Sequence, residues 1–364
     1  MKIKSPWRSK LIWALLLIAI ALIIARAMLP YWVRDYVNRK LSEIPDYRGQ
    51  VGDIDINLWR GAYKINDVQI VKTTGKVPVP FFAAPVVDLS VEWKALFEGA
   101  FVGEIDFIRP KLNFVNGSSE ATSQVGVDKP WAQKIKELFP LKINRFVVHG
   151  GEIHYRDYSH EPNIDIEIDR VDMIGTNLTN SKKLSENLIA TIEAYGRPLG
   201  EGKIFSKVSL DPYAAKPTFD AKVEMSAVPL TKLNDFAKAY GGFTFEAGTL
   251  RVATEIDSKQ GRFTGYMEPV FDQMAILDPK RDSENHVSLI WQAILEGVTR
   301  IVRNHPKDRF GTRVPLSGSF DGPTPAIWET VVNVFRNAFV KAFEGKLQNE
   351  EIELPQLQKE KGDG

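Results

Sequence analysis

The chain has no cysteine among its 364 residues. That absence removes disulfides, thiolate nucleophiles and cysteine-ligated metals together, and it suits an oxidising compartment in which stray thiols are a hazard. A dominant charge is missing as well, because 47 Lys and Arg stand against 46 Asp and Glu. No global field draws in nucleic acid, which is therefore not an expected partner. The common catalytic signatures are also absent: the sequence holds no phosphate-cradling Gly-Lys-Ser/Thr loop, no Gly-x-Ser-x-Gly elbow, no His-Glu-x-x-His pair and no dinucleotide fingerprint. Histidine is scarce, with five in all. Three of them, His149, His154 and His160, are close in sequence, but their uneven spacing across strands and a turn sets the rings on differing faces. They read as polar-face histidines, and no metal site is expected. The ladder Asp165, Glu167, Asp169 reads in the same way, as the solvated face of a strand. Asn116-Gly-Ser118 and Asn177-Leu-Thr179 are sequons, too short to assign a modification. The expectation is a protein that is not an enzyme and that uses no cofactor.

The strongest positive signal is at the N-terminus. Leu11 to Ala25 is unbroken apolar sequence, and Lys2, Lys4, Arg8 and Lys10 precede it without an acidic residue. A membrane span needs roughly 17 to 25 residues, and this one reaches Trp32 if Arg26 snorkels to the interface. Trp7, Arg26, Tyr31 and Trp32 then mark the membrane interfaces. The competing reading is a cleaved signal peptide, since Ala25-Arg26-Ala27 has the small-x-small form of a cleavage site. The expected order is a basic cytoplasmic tail over 1–10, a transmembrane anchor over 11–32, a β-rich domain over 33–284, a helical region over 285–347 and a disordered tail over 348–364. Such an order places one span in a membrane, with a cytoplasmic N-terminus and the main domain outside the cytoplasm.

Beyond the anchor, Val33, Val37, Leu41 and Ile44 recur at helical spacing and predict an amphipathic helix over 31–44. The period then changes to two. Val87, Leu89, Val91 and Trp93 alternate with Asp88, Ser90, Glu92 and Lys94, and Ile164, Ile166 and Ile168 alternate with Asp165, Glu167 and Asp169. Half-buried strands produce this pattern. Further strands are expected over 101–108, 111–115, 152–158, 188–195, 203–210, 218–226 and 249–256. Short connections predict an antiparallel meander. Only two short helices interrupt it, Pro130 to Phe139 and Leu230 to Tyr240. Near the C-terminus, Val287 to Val302 and Trp328 to Phe343 carry two amphipathic helical stripes.

So many apolar strand faces need more cover than these helices supply. Either the sheet closes on itself as a sandwich, or it stays bent and open, with lipid tails completing the cover. In the open form the groove candidates are Val87, Leu89, Val91, Phe101, Ile105, Phe107, Leu112, Phe114, Ile164, Ile166 and Ile168. A closed sandwich instead suits an envelope scaffold or assembly factor. The expected fold class is mainly β with some α: an N-terminal transmembrane helix, a long antiparallel bent sheet forming an apolar groove, and C-terminal amphipathic helices.

Several phrases carry a family resemblance. They are Tyr36-Val-Asn-Arg-Lys-Leu41, Tyr63-Lys-Ile-Asn-Asp-Val68, Val86-Val-Asp-Leu-Ser-Val-Glu-Trp93, Gly150-Gly-Glu-Ile-His-Tyr-Arg-Asp157, Ser209-Leu-Asp-Pro212 and Pro217-Thr-Phe-Asp220. Behind a basic tail and a hydrophobic anchor, this arrangement resembles the AsmA-like envelope proteins, in particular their shorter branch carried as a domain of unknown function. The resemblance implies a β-sheet groove tethered to the inner membrane, membrane lipids as partners, other envelope proteins as further candidates, and a role in phospholipid movement or outer-membrane homeostasis. It carries over no catalytic residue, because the family has no catalytic motif to match.

Overall fold

The computed structural model describes residues 6–57, 61–91, 102–124, 142–178, 189–211, 214, 216–241, 243–277, 309–311 and 313–320. One long helix, α1 (Pro6–Ser42), joins the apolar run to the amphipathic segment, which the sequence suggested as two elements. Pro30 lies inside it and removes one ladder donor without dividing the helix. The helix stops short of Pro45, whose ring disfavours helical backbone at the residue before it. Residues Ile12–Ser42 are long and apolar enough to cross a membrane. Large side chains from Ile12 to Ile24 are exposed, whereas Val37 and Leu41 are buried. One helix therefore has two environments along its length.

The strands are β1 (Tyr47–Gln50), β2 (Asp53–Asn57), β3 (Ala62–Lys72), β4 (Phe82–Val91), β5 (Val102–Ile108), β6 (Lys111–Asn116), β7 (Lys142–Asp157), β8 (Ile164–Thr176), β9 (Ala190–Pro198), β10 (Lys203–Leu210), β11 (Phe219–Pro229), β12 (Thr244–Lys259), β13 (Arg262–Leu277), β14 (Arg309–Gly311) and β15 (Val314–Ser319). All belong to one sheet, in which β1 and β2 share the edge of β3, and β14 and β15 share the edge of β13. A 3-10 segment, Leu230–Leu233, leads into the short helix α2 (Asn234–Gly241).

Two expectations about the sheet change. The sheet is mixed, because β5 and β6 both run parallel to β7. The connection from Asn116 to Lys142 is long enough for the crossover that parallel pairing requires. Strands β14 and β15 fall inside the region 285–347 expected to be helical. Extended pairing with β13 decides their conformation, which local periodicity cannot supply. The helical stripes at 287–302 and 328–343, the helix at 130–139 and the tail at 348–364 lie outside the described residues.

A line of irregular residues crosses the sheet. It passes through Asp67 of β3 (φ 54°), Arg109 between β5 and β6 (φ 47°), Gly150 of β7 (φ 61°) and Arg170 of β8 (φ 49°), then through Ala227 of β11 (φ 53°), Gly248 of β12 (φ 116°) and Gln273 of β13 (φ 51°). Register shifts accompany it between Val148 and Gly151, between Asp169 and Asp172, and between Met225 and Val228. Bulges of this kind bend a strand and re-aim its side chains. Accordingly the buried residues switch from Ile65 to Val68 across Asp67, and from Ala84 to Val87 across Pro85. Without that switch one half of each strand would turn its apolar side chains to water. The line divides the sheet into an upper side, holding Ile56, Leu89, Ile192 and Val208, and a lower side, holding Ile70, Leu112, Ile166 and Phe245.

Among the described residues, α1 and α2 are each fixed to the sheet by an asparagine. The Val51 amide donates to Asn38 Oδ1 at 2.7 Å, and Asn38 Nδ2 donates back to the Val51 carbonyl at 3.5 Å. Asn234 repeats the arrangement on Phe245, at 2.7 and 3.0 Å. Val37 and Leu41 of α1, with Ile44 just beyond its end, share a core with Tyr47, Val51 and Ile54. Helix α2 fills a different gap. Strands β9 and β10 turn back at Leu199 and Gly200, on the bulge line, so neither continues onto the lower side. The 3-10 segment and α2 occupy that space, where Leu230 and Ala237 join Phe243, Phe245 and Phe271, with Ile166 of β8 packed against them.

Candidate functional site

Strand pairing puts apolar side chains of successive strands on one face. Met173 stands opposite Ala194, Ile192 opposite Val208, Val208 opposite Ala221, and Ala221 opposite Ile256. All of these are half-buried, in contrast to the fully buried cores beside α1 and α2. This stretch of the upper side is therefore an apolar surface with incomplete cover. Phe320 folds back over its tip, with its ring centroid 4.8 Å from Phe263 and 5.9 Å from Phe219.

Towards α1 the same face deepens into a cavity of about 180 Å³, lined by Phe82, Phe107, Leu112, Phe146, Val148 and Met173 among others. It lies on the bulge line, where Pro110 and Gly151 also border it. Phe82 and Phe107 meet edge-on at 6.1 Å. Two groove candidates from the sequence, Phe107 and Leu112, line this cavity. The others are distributed differently. Leu89 is 1 % exposed and, with Val87 and Ile105, lies in the core shared with α1. Phe114 packs edge-on against Phe81 at 6.1 Å. Ile164 is fully buried, Ile166 belongs to the α2 core, and Ile168 lies against Gly196. Only the backbone of Val91 is described, and Phe101 lies outside the described residues. Phe82, Phe146, Met173, Ile192 and Val208 were missed as groove residues, although the alternation of Phe146 with Val148 and of Ile192 with Ala194 was there to be read.

The opposite face carries paired charges together with the exposed Ile174 and Tyr195. Arg197 donates two bonds to Asp169, at 2.9 and 2.5 Å, and Arg251 donates two to Asp272, at 2.7 and 3.2 Å. The bond from Arg197 holds the Asp169 carboxyl below its ordinary range. Lys111, 2.9 Å from Glu152, does the same for that glutamate. His154 Nδ1 lies 3.0 Å from Asp165, while His160 lies 3.3 Å from the buried Asp157. The histidines thus answer to separate carboxylates, and among the described residues no group of three or more His, Cys, Asp or Glu could hold a metal ion. The chain matches no protein-family model and no curated protein.

Of the interface residues, Tyr31 and Trp32 are exposed, at 60 and 59 %. Trp7 lies in the first turns of α1. Arg26 instead reaches the sheet: its Nη2 donates to the Ile56 carbonyl at 2.6 Å.

Proposed function

We propose that the chain is a membrane-anchored, lipid-binding protein of the AsmA-like envelope type. In this reading α1 is retained as a single-pass anchor in an inner membrane, with a cytoplasmic N-terminus and the sheet in the periplasm. Acyl chains lie along the half-covered apolar face from Phe107 to Ile256 while head groups remain in water, and movement of the lipid is passive. The reading assigns no catalytic residue and no cofactor, and its biological role is phospholipid movement or outer-membrane homeostasis.

The observation that supports it best is the contrast in cover along one continuous face. Leu89 and Phe271 are buried in clusters that include residues of α1 and α2, whereas Ile192, Val208 and Val223, on the same sheet, are only half-buried. An apolar surface of this extent calls for a partner, and acyl chains match its chemistry. The test is native mass spectrometry of the full chain released gently from membranes. Copurifying phospholipid, reduced in a folded Val208→Glu variant and unchanged in Lys207→Glu on the charged face, is the expected result. A lipid-free protein that binds a second polypeptide through the same face would favour the scaffold reading instead.

A further inference from the structure

Helix α1 does not merely precede the sheet; it runs along its edge. Arg26 bonds to Ile56, Asn38 to Val51, and the Leu41 side chain approaches Gly49 so closely that a Cβ there would lie 2.6 Å from it. From Arg26 to Leu41 the helix rises about 22 Å at 1.5 Å per residue. From Gly49 back to Ile56 the edge strand covers about 23 Å at 3.3 Å per residue. The equal lengths make helix and edge antiparallel neighbours, so the apolar turns before Arg26 continue past the upper end of β2. Between α1 and that strand end lies a cleft of about 1030 Å³, bordered by Arg26, Asp55, Asn57, Tyr63, Lys64 and Asp88. Ligand sites commonly measure roughly 300 to 1,000 Å³.

We propose that this cleft seats the headgroup of a zwitterionic phospholipid drawn from the bilayer that holds α1. The inference rests on the anchoring proposed above, and not on the groove. Position comes from α1, since Arg26 is the first charged residue after the apolar run. Chemistry comes from the lining, which carries two cations, Arg26 and Lys64, and two carboxylates, Asp55 and Asp88. A guanidinium has five donors, of which the bond to Ile56 uses one. Lys64 Nζ lies 3.9 Å from Asp88 Oδ2 and Asn66 donates to Asp55 at 3.0 Å, so the lining charges are already balanced among themselves. A zwitterionic headgroup keeps that balance, with its phosphodiester beside Arg26 and Lys64 and its ammonium beside Asp55 and Asp88, whereas an anionic headgroup sets net negative charge against the carboxylates. Glycerol and acyl chains would then pass Tyr63 and Ile56 toward the apolar face.

The experiment uses the full chain in nanodiscs of phosphatidylethanolamine with phosphatidylcholine, or of phosphatidylglycerol alone. A photo-crosslinking amino acid replaces Asn57 in the cleft, Val208 on the apolar face, or the exposed Leu17 of the apolar run as a monitor of general bilayer contact. The expected result is a several-fold preference for zwitterionic lipid at Asn57 with none at Leu17, and a several-fold loss of the Asn57 adduct in both Arg26→Gln and Lys64→Gln. Lys64→Gln is the decisive variant if Arg26→Gln loosens α1, because Lys64 is not bonded to the helix. Equal labelling by the two lipid classes at Asn57, or full labelling in Lys64→Gln, overturns the proposal. No adduct at Leu17 means that the anchor reading has failed, and the headgroup site with it. Labelling at Asn57 without labelling at Val208 retains the headgroup site and removes the groove.

Discussion

A glutamate placed at Leu89 and another placed at Val208 should have opposite consequences, although both positions are apolar members of alternating strands. Leu89 is 1 % exposed inside the core shared with α1. A glutamate there must stay neutral, and holding it neutral at pH 7 against an ordinary value near 4.3 costs about 3.7 kcal/mol at 1.36 kcal/mol per unit. Losing the buried leucine adds roughly 2 kcal/mol. The sum, near 6 kcal/mol, falls within the whole stability of a typical domain, about 5 to 15 kcal/mol. Val208 is only half-buried, so its glutamate can keep the carboxylate in water and forfeits roughly 1 kcal/mol of valine burial. Urea unfolding and steady-state abundance, measured beside copurified phospholipid, separate the two. Leu89→Glu should collapse in abundance; Val208→Glu should fold and lose lipid. Equal destabilisation by both would show that the face at Val208 is as tightly covered as the α1 core, and full lipid retention by folded Val208→Glu would remove that residue from the lipid seat. Either result refutes the reasoning.

Further outcomes follow from single residues. Burial pushes the Tyr63 hydroxyl up to about 12. The folded state therefore holds a proton that the unfolded chain releases near pH 10, and stability present below pH 10 should drain between about pH 10 and about 12, by roughly 1.4 kcal/mol per pH unit. Tyr63→Phe should flatten that alkaline limb in pH-dependent melting, and an unchanged slope would assign the limb to other groups. Asn38→Ala strips both partners from the Val51 backbone. It should cost about 1 to 3 kcal/mol, and hydrogen exchange at the Val51 amide should quicken while that at Phe245 does not. Gly248→Ala meets φ 116° and a Cβ position 2.8 Å from Met274 Cα, so a loss of about 1 to 3 kcal/mol is expected by urea unfolding; a neutral result would show that the bulge can relax. Asp169→Asn should lower stability at neutral pH but not at strongly acid pH. The carboxyl's value is depressed in the fold, so its contribution is present above the ordinary aspartate range and vanishes as pH falls through the depressed value. A variant whose deficit persists at strongly acid pH would implicate packing instead.

Much of this architecture is readable residue by residue, because it depends on local spacing. The apolar run from Leu11 to Ala25, the alternation at Ile164 to Ile168 and the segment Lys203 to Leu210 each declare an element through their own period. Tertiary structure alone decided which strands lie side by side, since the parallel placement of β7 against β5 and β6 depends on where a long connection returns. It alone aligned Asp67, Arg109, Gly150, Arg170, Ala227, Gly248 and Gln273 into one line, because each bulge is visible only against a neighbour's register. It also decided that Leu89 is sealed and Val208 is not. Their local patterns are alike, and what differs is the surroundings that distant sequence supplies: Leu89 lies in the buried cluster that includes Val37 and Leu41 of α1, and Val208 does not. Periodicity tells a side chain which face of a strand it takes; only the assembled sheet and its two helices determine whether that face meets a core, a cavity or open surroundings.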